Sequence, residues 1–129
     1  MEAAQLSALS LWLGLNILLT LVLAVNVTRN RFKAMGDSGD PDTLQKAVRA
    51  HGNNIEYVPF ILLGLGLLAM TGASAQTLNI LGGTLFAARV LHAYGIQQAK
   101  VPNPIGVVGN VTTWLVMLCV AAKLIMAGM

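Results

Sequence analysis

LSALSLWLGLNILLTLVLAVNV, residues 6–27, holds no charged side chain and only two amides, Asn16 and Asn26. About 20 consecutive apolar residues are what a helix needs to cross the hydrocarbon core of a bilayer. The charge-free stretch runs from residue 3 to residue 28, longer than the apolar core of a secretory leader. No basic segment precedes it, Glu2 stands there instead, and arginines follow the small-residue position near Ala24 at once. The segment reads as a retained first transmembrane span.

Outward from it the rest of the chain repeats the pattern. Of its residues 56% are hydrophobic and 10% charged, against about 25% charged in a soluble domain. Four spans, at residues 6–27, 41–70, 75–99 and 105–126, use up residues 1–129 with short connections. The expectation is one domain: an all-α, integral membrane four-helix bundle of up-down topology. Asp40-Pro41-Asp42-Thr43 reads as a helix start, with Asp40 as cap and Pro41 in the first helical position. Span two is polar in its first half and longer than a bilayer requires, so its start should project beyond the lipid. Pro59 removes a backbone bond inside it and should kink it. Gly82-Gly83 should allow close helix approach, and Gly64, Gly66, Gly106 and Gly109 read as packing positions. Asn16 should hydrogen-bond a neighbouring helix. Cys119, the single cysteine, excludes a disulfide within the chain and reads as a small buried hydrophobe.

The net charge is +3, and its placement matters more than its sum. Arg29, Arg31, Lys33, Lys46 and Arg49 lie on one side of the spans, joined by Arg89 and Lys100, whereas Lys123 stands alone opposite. The excess of Lys and Arg in cytoplasmic connections puts the first and third loops inside and both termini on the non-cytoplasmic side. These cations are accounted for by membrane orientation, and no nucleic acid is expected as a partner.

Charges inside membrane helices are costly, so they face a cavity or a partner. They gather in R-A-H-G-N-N-I-E-Y, residues 49–57, and A-R-V-L-H-A-Y, residues 88–94. At about 100° per residue, Arg49, Asn53 and Glu56 form one stripe with Tyr57 at its edge. Arg89 and His92, three apart, share a face of span three. Antiparallel spans two and three bring both clusters to one depth. Arginine grips a carboxylate with two parallel bonds and glutamate takes an ammonium, while Asn53 and His51 suit amides, so the set fits a small zwitterion. A purely structural network, with Arg49 and Glu56 neutralising each other or Arg89, and an ion or proton path are the alternatives. The two histidines and Cys119 lack metal-ligand spacing, and there is no Gly-rich phosphate loop or G-x-S-x-G turn.

R-A-H-G-N-N-I-E-Y-V-P-F at residues 49–60 and A-R-V-L-H-A-Y-G at residues 88–95 resemble the motifs of the MAPEG family, membrane-associated proteins in eicosanoid and glutathione metabolism. The four-span layout and basic first loop agree, so the resemblance covers essentially the whole chain. It implies a homotrimer with glutathione between subunits near the cytoplasmic side. It implies glutathione contacts at Arg49, His51, Asn53, Glu56 and Tyr57, completed by Arg89, His92 and Tyr94, with Arg29 in the basic first loop. A hydrophobic or lipid substrate would enter from the membrane lipid, and the setting would be a bacterial inner membrane with the pocket facing the cytoplasm. In active members an arginine near the start of span four stabilises the glutathione thiolate. Residues 100–106 here read K-V-P-N-P-I-G, without arginine. That leaves Lys100 and Arg89 as the candidates for catalysis, with Tyr94 as a further donor to the thiolate.

Three functions follow as expectations. One is a glutathione-dependent transferase or peroxidase acting on hydrophobic electrophiles or lipid hydroperoxides. The second is a non-catalytic member that binds glutathione or lipid as scaffold or sensor. The third is a small four-helix transporter, for which Glu56 would be the acid close to a span.

Overall fold

A computed structural model describes all 129 residues. It contains four helices and no strand: α1 (Ala3–Met35), α2 (Pro41–Met70), α3 (Ala75–Ile96) and α4 (Pro104–Ala127). α2 and α3 each touch every other helix, whereas α1 and α4 flank that pair and do not meet. Three of the helices, α1, α2 and α4, are long and apolar enough to cross a membrane. α3 carries Arg89 and His92, both buried within the bundle.

The boundaries follow local chemistry. Asp40 caps α2, its carboxylate accepting from the Asp42 and Thr43 backbone N–H groups, with Pro41 in the first turn. Ser74 caps α3 through the Thr77 N–H, and Asn103 caps α4 through the Ile105 N–H. The first element runs past the apolar stretch that marks it in the sequence. α1 continues to Met35 before turning at Gly36, so Arg29, Arg31 and Lys33 ride on helix rather than loop. Arg and Lys are good helix formers, and nothing breaks the chain before Gly36. α3 stops at Ile96, short of residue 99. α2 is continuous through Pro59.

Small residues set the helix spacing. A methyl group on Gly82 or Gly83 would run into the indole of Trp12, so this glycine pair is the seat of an α1 side chain. Trp12 Nε1 also donates to Asn79 Oδ1 at 2.9 Å. Gly95 faces the backbone of Gly106, and Gly109 faces the Ala88 carbonyl and the His92 backbone; side chains at these positions would force α3 and α4 apart. Gly64 packs against Val120, but Gly66 meets nothing and opens onto an apolar groove between α1 and α2. Cys119 corrects its sequence reading: it lies on the exposed side of α4, because the buried stripe of that helix runs through Gly109, Thr113, Val116 and Val120. Asn16 is a second correction. It is fully buried, yet its amide donates within its own helix, to the Trp12 carbonyl at 2.8 Å. Asn26 does reach across, donating to Gln97 Oε1 at 2.8 Å.

Ten buried residues, among them Ile61, Leu65, Leu78, Leu85 and Val116, fill one half of the bundle. The other half, where α1 ends, α2 begins, α3 ends and α4 begins, has an apolar cluster of three: Leu23, Ala50 and Ala93. This second half is the basic end.

Candidate ligand site at the basic end

The centre of the basic half is Arg89, whose side chain is 0% exposed. Its Nε donates to Asn54 Oδ1 at 3.1 Å, one terminal nitrogen to Asn53 Oδ1 at 2.8 Å, and the other to Thr113 Oγ1 at 3.4 Å. Asn54 in turn donates to Thr20 Oγ1 at 2.9 Å, and Thr20 to the Asn16 carbonyl at 2.9 Å. Thr113 donates to the Gly109 carbonyl at 2.8 Å. Every helix therefore contributes to a single network: Thr20, Asn53 with Asn54, Arg89 and Thr113. Every partner of the guanidinium is neutral. The one ion pair in the structure is Lys46–Asp42, at the start of α2, so Arg89 makes an ion pair with neither Glu56 nor any other acid. Its dipolar partners satisfy three of the five N–H groups of arginine, and none of them carries an opposite charge.

His92 lies one turn further along α3 and is 9% exposed. Its Nδ1 stands 3.1 Å from the Gly106 carbonyl. A carbonyl oxygen can only accept, so Nδ1 carries the hydrogen. Nε2 is shut off from solvent and has no partner. His92 lines a cavity of about 340 Å³ between the end of α3 and the start of α4, with Asn103, Gly106, Asn110 and Trp114. A shallower cleft of about 320 Å³ next to it is lined by Asp42, Lys46 and Arg49. The two share Ile96 and Val101 in their walls.

The structure thus brings Asn53 and Arg89 into direct contact and sets His92 and Arg49 in adjoining hollows. Arg49 is exposed at the mouth of its cleft, and the other residues singled out in the sequence line neither hollow. Glu56 and Tyr94 are exposed, His51 and Tyr57 half-buried, Tyr57 against the apolar core. Arg29 and Lys100 are exposed, and Lys100 lines neither hollow. The sequence reading missed Asn54, Thr20 and Thr113. Asn54 adjoins Asn53, and nothing in the spacing tells which of the two amides faces span three. Thr20 and Thr113 are ordinary residues of apolar helices until the neighbouring cation is known. No group of side chains is arranged to hold a metal ion.

A four-helix membrane bundle whose polar interior is gathered at its basic end, around a cation from the third helix, is the class that fold and site define. The MAPEG family profile matches residues 9–126, and the chain belongs to that family. It is 36% identical over 92 residues, 69% of this chain and 70% of the relative, to the inner membrane protein YecN of Escherichia coli K12, and equally to YecN of Escherichia coli O6:H1. With its three apolar helices it is an integral inner membrane protein. No solved structure matches.

Proposed function

We propose that the chain binds glutathione at its basic end and uses it as a membrane-bound transferase or peroxidase on hydrophobic electrophiles or lipid hydroperoxides. The observation that carries this reading is the buried guanidinium of Arg89, which has no ion-pair partner, one turn from His92, whose cavity adjoins a cleft lined by Arg49. A desolvated cation without a counter-ion is costly, and an anionic ligand in the adjoining space offsets that cost. Glutathione brings two carboxylates, an ammonium and a thiol that becomes an anion when it reacts. Arg49 would take a carboxylate, Asn53 and His51 amide groups, Glu56 the ammonium, and Tyr57, Tyr94 and Arg29 the periphery. Glu56, Tyr94 and Arg29 are exposed on the single chain, which suits a ligand held between subunits of a homotrimer. With the basic end facing the cytoplasm, the pocket would open where glutathione is dissolved, and the apolar substrate would arrive from the lipid. Of the two cations considered for the thiolate, Arg89 is the better placed, because it is buried one turn from His92, which lines a hollow, whereas Lys100 is exposed.

That position of Lys100, with no arginine at the start of α4, favours one second reading: a member that binds glutathione without activating it. Calorimetry with detergent-purified protein separates the two when thiolate absorbance is recorded on the same samples. Binding with thiolate near neutral pH supports the enzyme; binding without thiolate supports the second reading. Arg49→Ala should weaken binding by about tenfold or more, since losing one partner of a desolvated charge pair costs about 2–5 kcal/mol. Unchanged affinity in Arg49→Ala would remove the cleft from the site.

A further inference from the structure

Two buried acceptors at the basic end lack a donor, and both residues line the same cavity. They are His92 Nε2 and Asn110 Oδ1. Buried polar atoms in folded proteins nearly always have partners, and an orphaned pair around one cavity marks a place where a ligand supplies the donors. We propose that the cavity between α3 and α4 seats the thiol end of the bound peptide, with His92 Nε2 as the catalytic acceptor of the thiol proton and Asn110 as acceptor for a second donor on the ligand. This assignment rests on the glutathione reading above and adds to it a base that neither composition nor spacing revealed.

The geometry prepares the imidazole for that task. Donation from Nδ1 to Gly106 fixes the tautomer and the ring plane, and so leaves the Nε2 lone pair as the free end. The contact exists because Gly95 and Gly106 let the two backbones touch and Gly109 admits the backbone of His92 itself. In the step, the S–H bond breaks and its electron pair stays on sulfur. The proton forms an Nε2–H bond, giving an imidazolium that keeps its bond to Gly106. Two cations stand in this region: Arg89, three residues before His92 on the same helix, and Arg49 on α2, in the adjoining cleft. These cations favour the thiolate formed near them. This division of labour meets the need left by the missing arginine: Arg89 supplies positive field from behind its amides, and His92 takes the proton.

His92→Asn is the sharpest variant, because the asparagine amide keeps a donor for Gly106 and removes Nε2. Glutathione and S-methylglutathione would be titrated into wild type, His92→Asn and Asn110→Leu by calorimetry. Thiolate absorbance would be followed between about pH 5 and 8, the range in which an imidazole titrates. Wild type should form thiolate below the ordinary thiol range near pH 8.5. His92→Asn should bind S-methylglutathione within about threefold of wild type and lose thiolate, with conjugation or peroxide reduction down by about 100-fold, the lower end for a lost general base. Asn110→Leu should weaken both ligands and leave the pH profile of the thiolate in place. Thiolate unchanged in His92→Asn overturns the role of His92 and leaves the glutathione reading standing. Failure of wild type to bind either ligand overturns both. If His92→Asn does not fold, nitrogen-labelled histidine in wild type decides. The ring with a protonated Nδ1 should gain a proton on Nε2 when glutathione, but not S-methylglutathione, is added; a ring that stays neutral overturns the proposal.

Discussion

The two halves of this bundle solve the same packing problem in opposite ways. Away from the basic end, ten buried hydrophobic residues hold the helices together. At the basic end the contiguous apolar cluster shrinks to three, and much of the space is taken by Arg89, Asn54, Thr113 and His92, all buried. In a bilayer, lipid tails are as apolar as leucine, so the first half is held by close contact rather than by escape from water. The second half is held by hydrogen bonds that have no competing water. A membrane helix carries a buried cation only at a cost. The contrast therefore separates where the fold is stabilised from where the chemistry is placed.

The strongest way to break this comparison is to remove its central charge. Arg89→Met keeps much of the side-chain volume and strips the Asn53 and Asn54 oxygens of their donor. Glutathione affinity should fall by about 100-fold or more, from the roughly 2–5 kcal/mol lost with a buried charge partner. Calorimetry reads the affinity, and thermal unfolding in detergent shows whether the fold survives. An affinity within a few-fold of wild type would make the network a structural device alone.

The converse experiment belongs to the apolar half. Leu85 is 0% exposed inside the main cluster. Leu85→Ala should cost about 2 kcal/mol of stability, the low end of the range for water-soluble cores, because the separated helix would sit in equally apolar lipid. Its glutathione affinity should stay near wild type. A large loss of binding without a loss of stability would show that the two halves are coupled, contrary to the division drawn here.

Asn54→Leu tests the network at one remove. It deletes the link from Arg89 to Thr20, and with it the tie between α1 and the cation. Interhelical hydrogen bonds in membranes average about 0.6 kcal/mol and reach about 1.7, so stability should drop by about 1 kcal/mol, less than for Leu85→Ala. Affinity should fall by less than in Arg89→Met, since the charge remains. If Asn54→Leu is the more damaging of the two to stability, the polar half carries more of the fold than its small apolar cluster suggests.

What the sequence disclosed, and what it withheld, follows the same division. Local chemistry was legible: the Asp40-Pro41 start of α2, the glycine pair of α3, the one-sided placement of the cations, and the motifs that carry the family. Each is decided by neighbours within a few residues. Facts that depend on how four helices are rotated were not. Nothing near Thr113 in the chain tells that it meets a guanidinium from another helix, and nothing near Gly106 tells that its carbonyl fixes a histidine. Asn16 shows the same limit from the other side, because an amide expected to bridge helices donates within its own and leaves its Oδ1 without a partner. The length of α1 was hidden because Arg29 and Lys33 signal the end of the lipid without signalling the end of the helix.

The smallest expected effect lies at the very edge of the basic end. Asp40 is exposed, and bonds from the Thr43 hydroxyl and the Thr43 and Asp42 N–H groups hold its carboxyl below the usual carboxylate range. A carboxylate lowered in the folded state contributes stability that is fully present above its unfolded value, about 3.9. The contribution is lost as pH falls through the lower folded value. The Asp42 and Thr43 amides should therefore keep the protection against hydrogen exchange that this cap gives above that point and show fraying of the first turn once pH falls through the lower folded value. Asp40→Asn keeps an acceptor and should retain most of the protection, whereas Asp40→Ala should lose it. Neither should change glutathione affinity beyond a few-fold. Water reaches this cap as it reaches the end of any soluble helix, and the interior network a few turns away is closed to it. A marked loss of affinity in Asp40→Ala would mean that the start of α2 positions Arg49, and the boundary between stabilising and ligand-holding polar groups would have to be moved outward to include it.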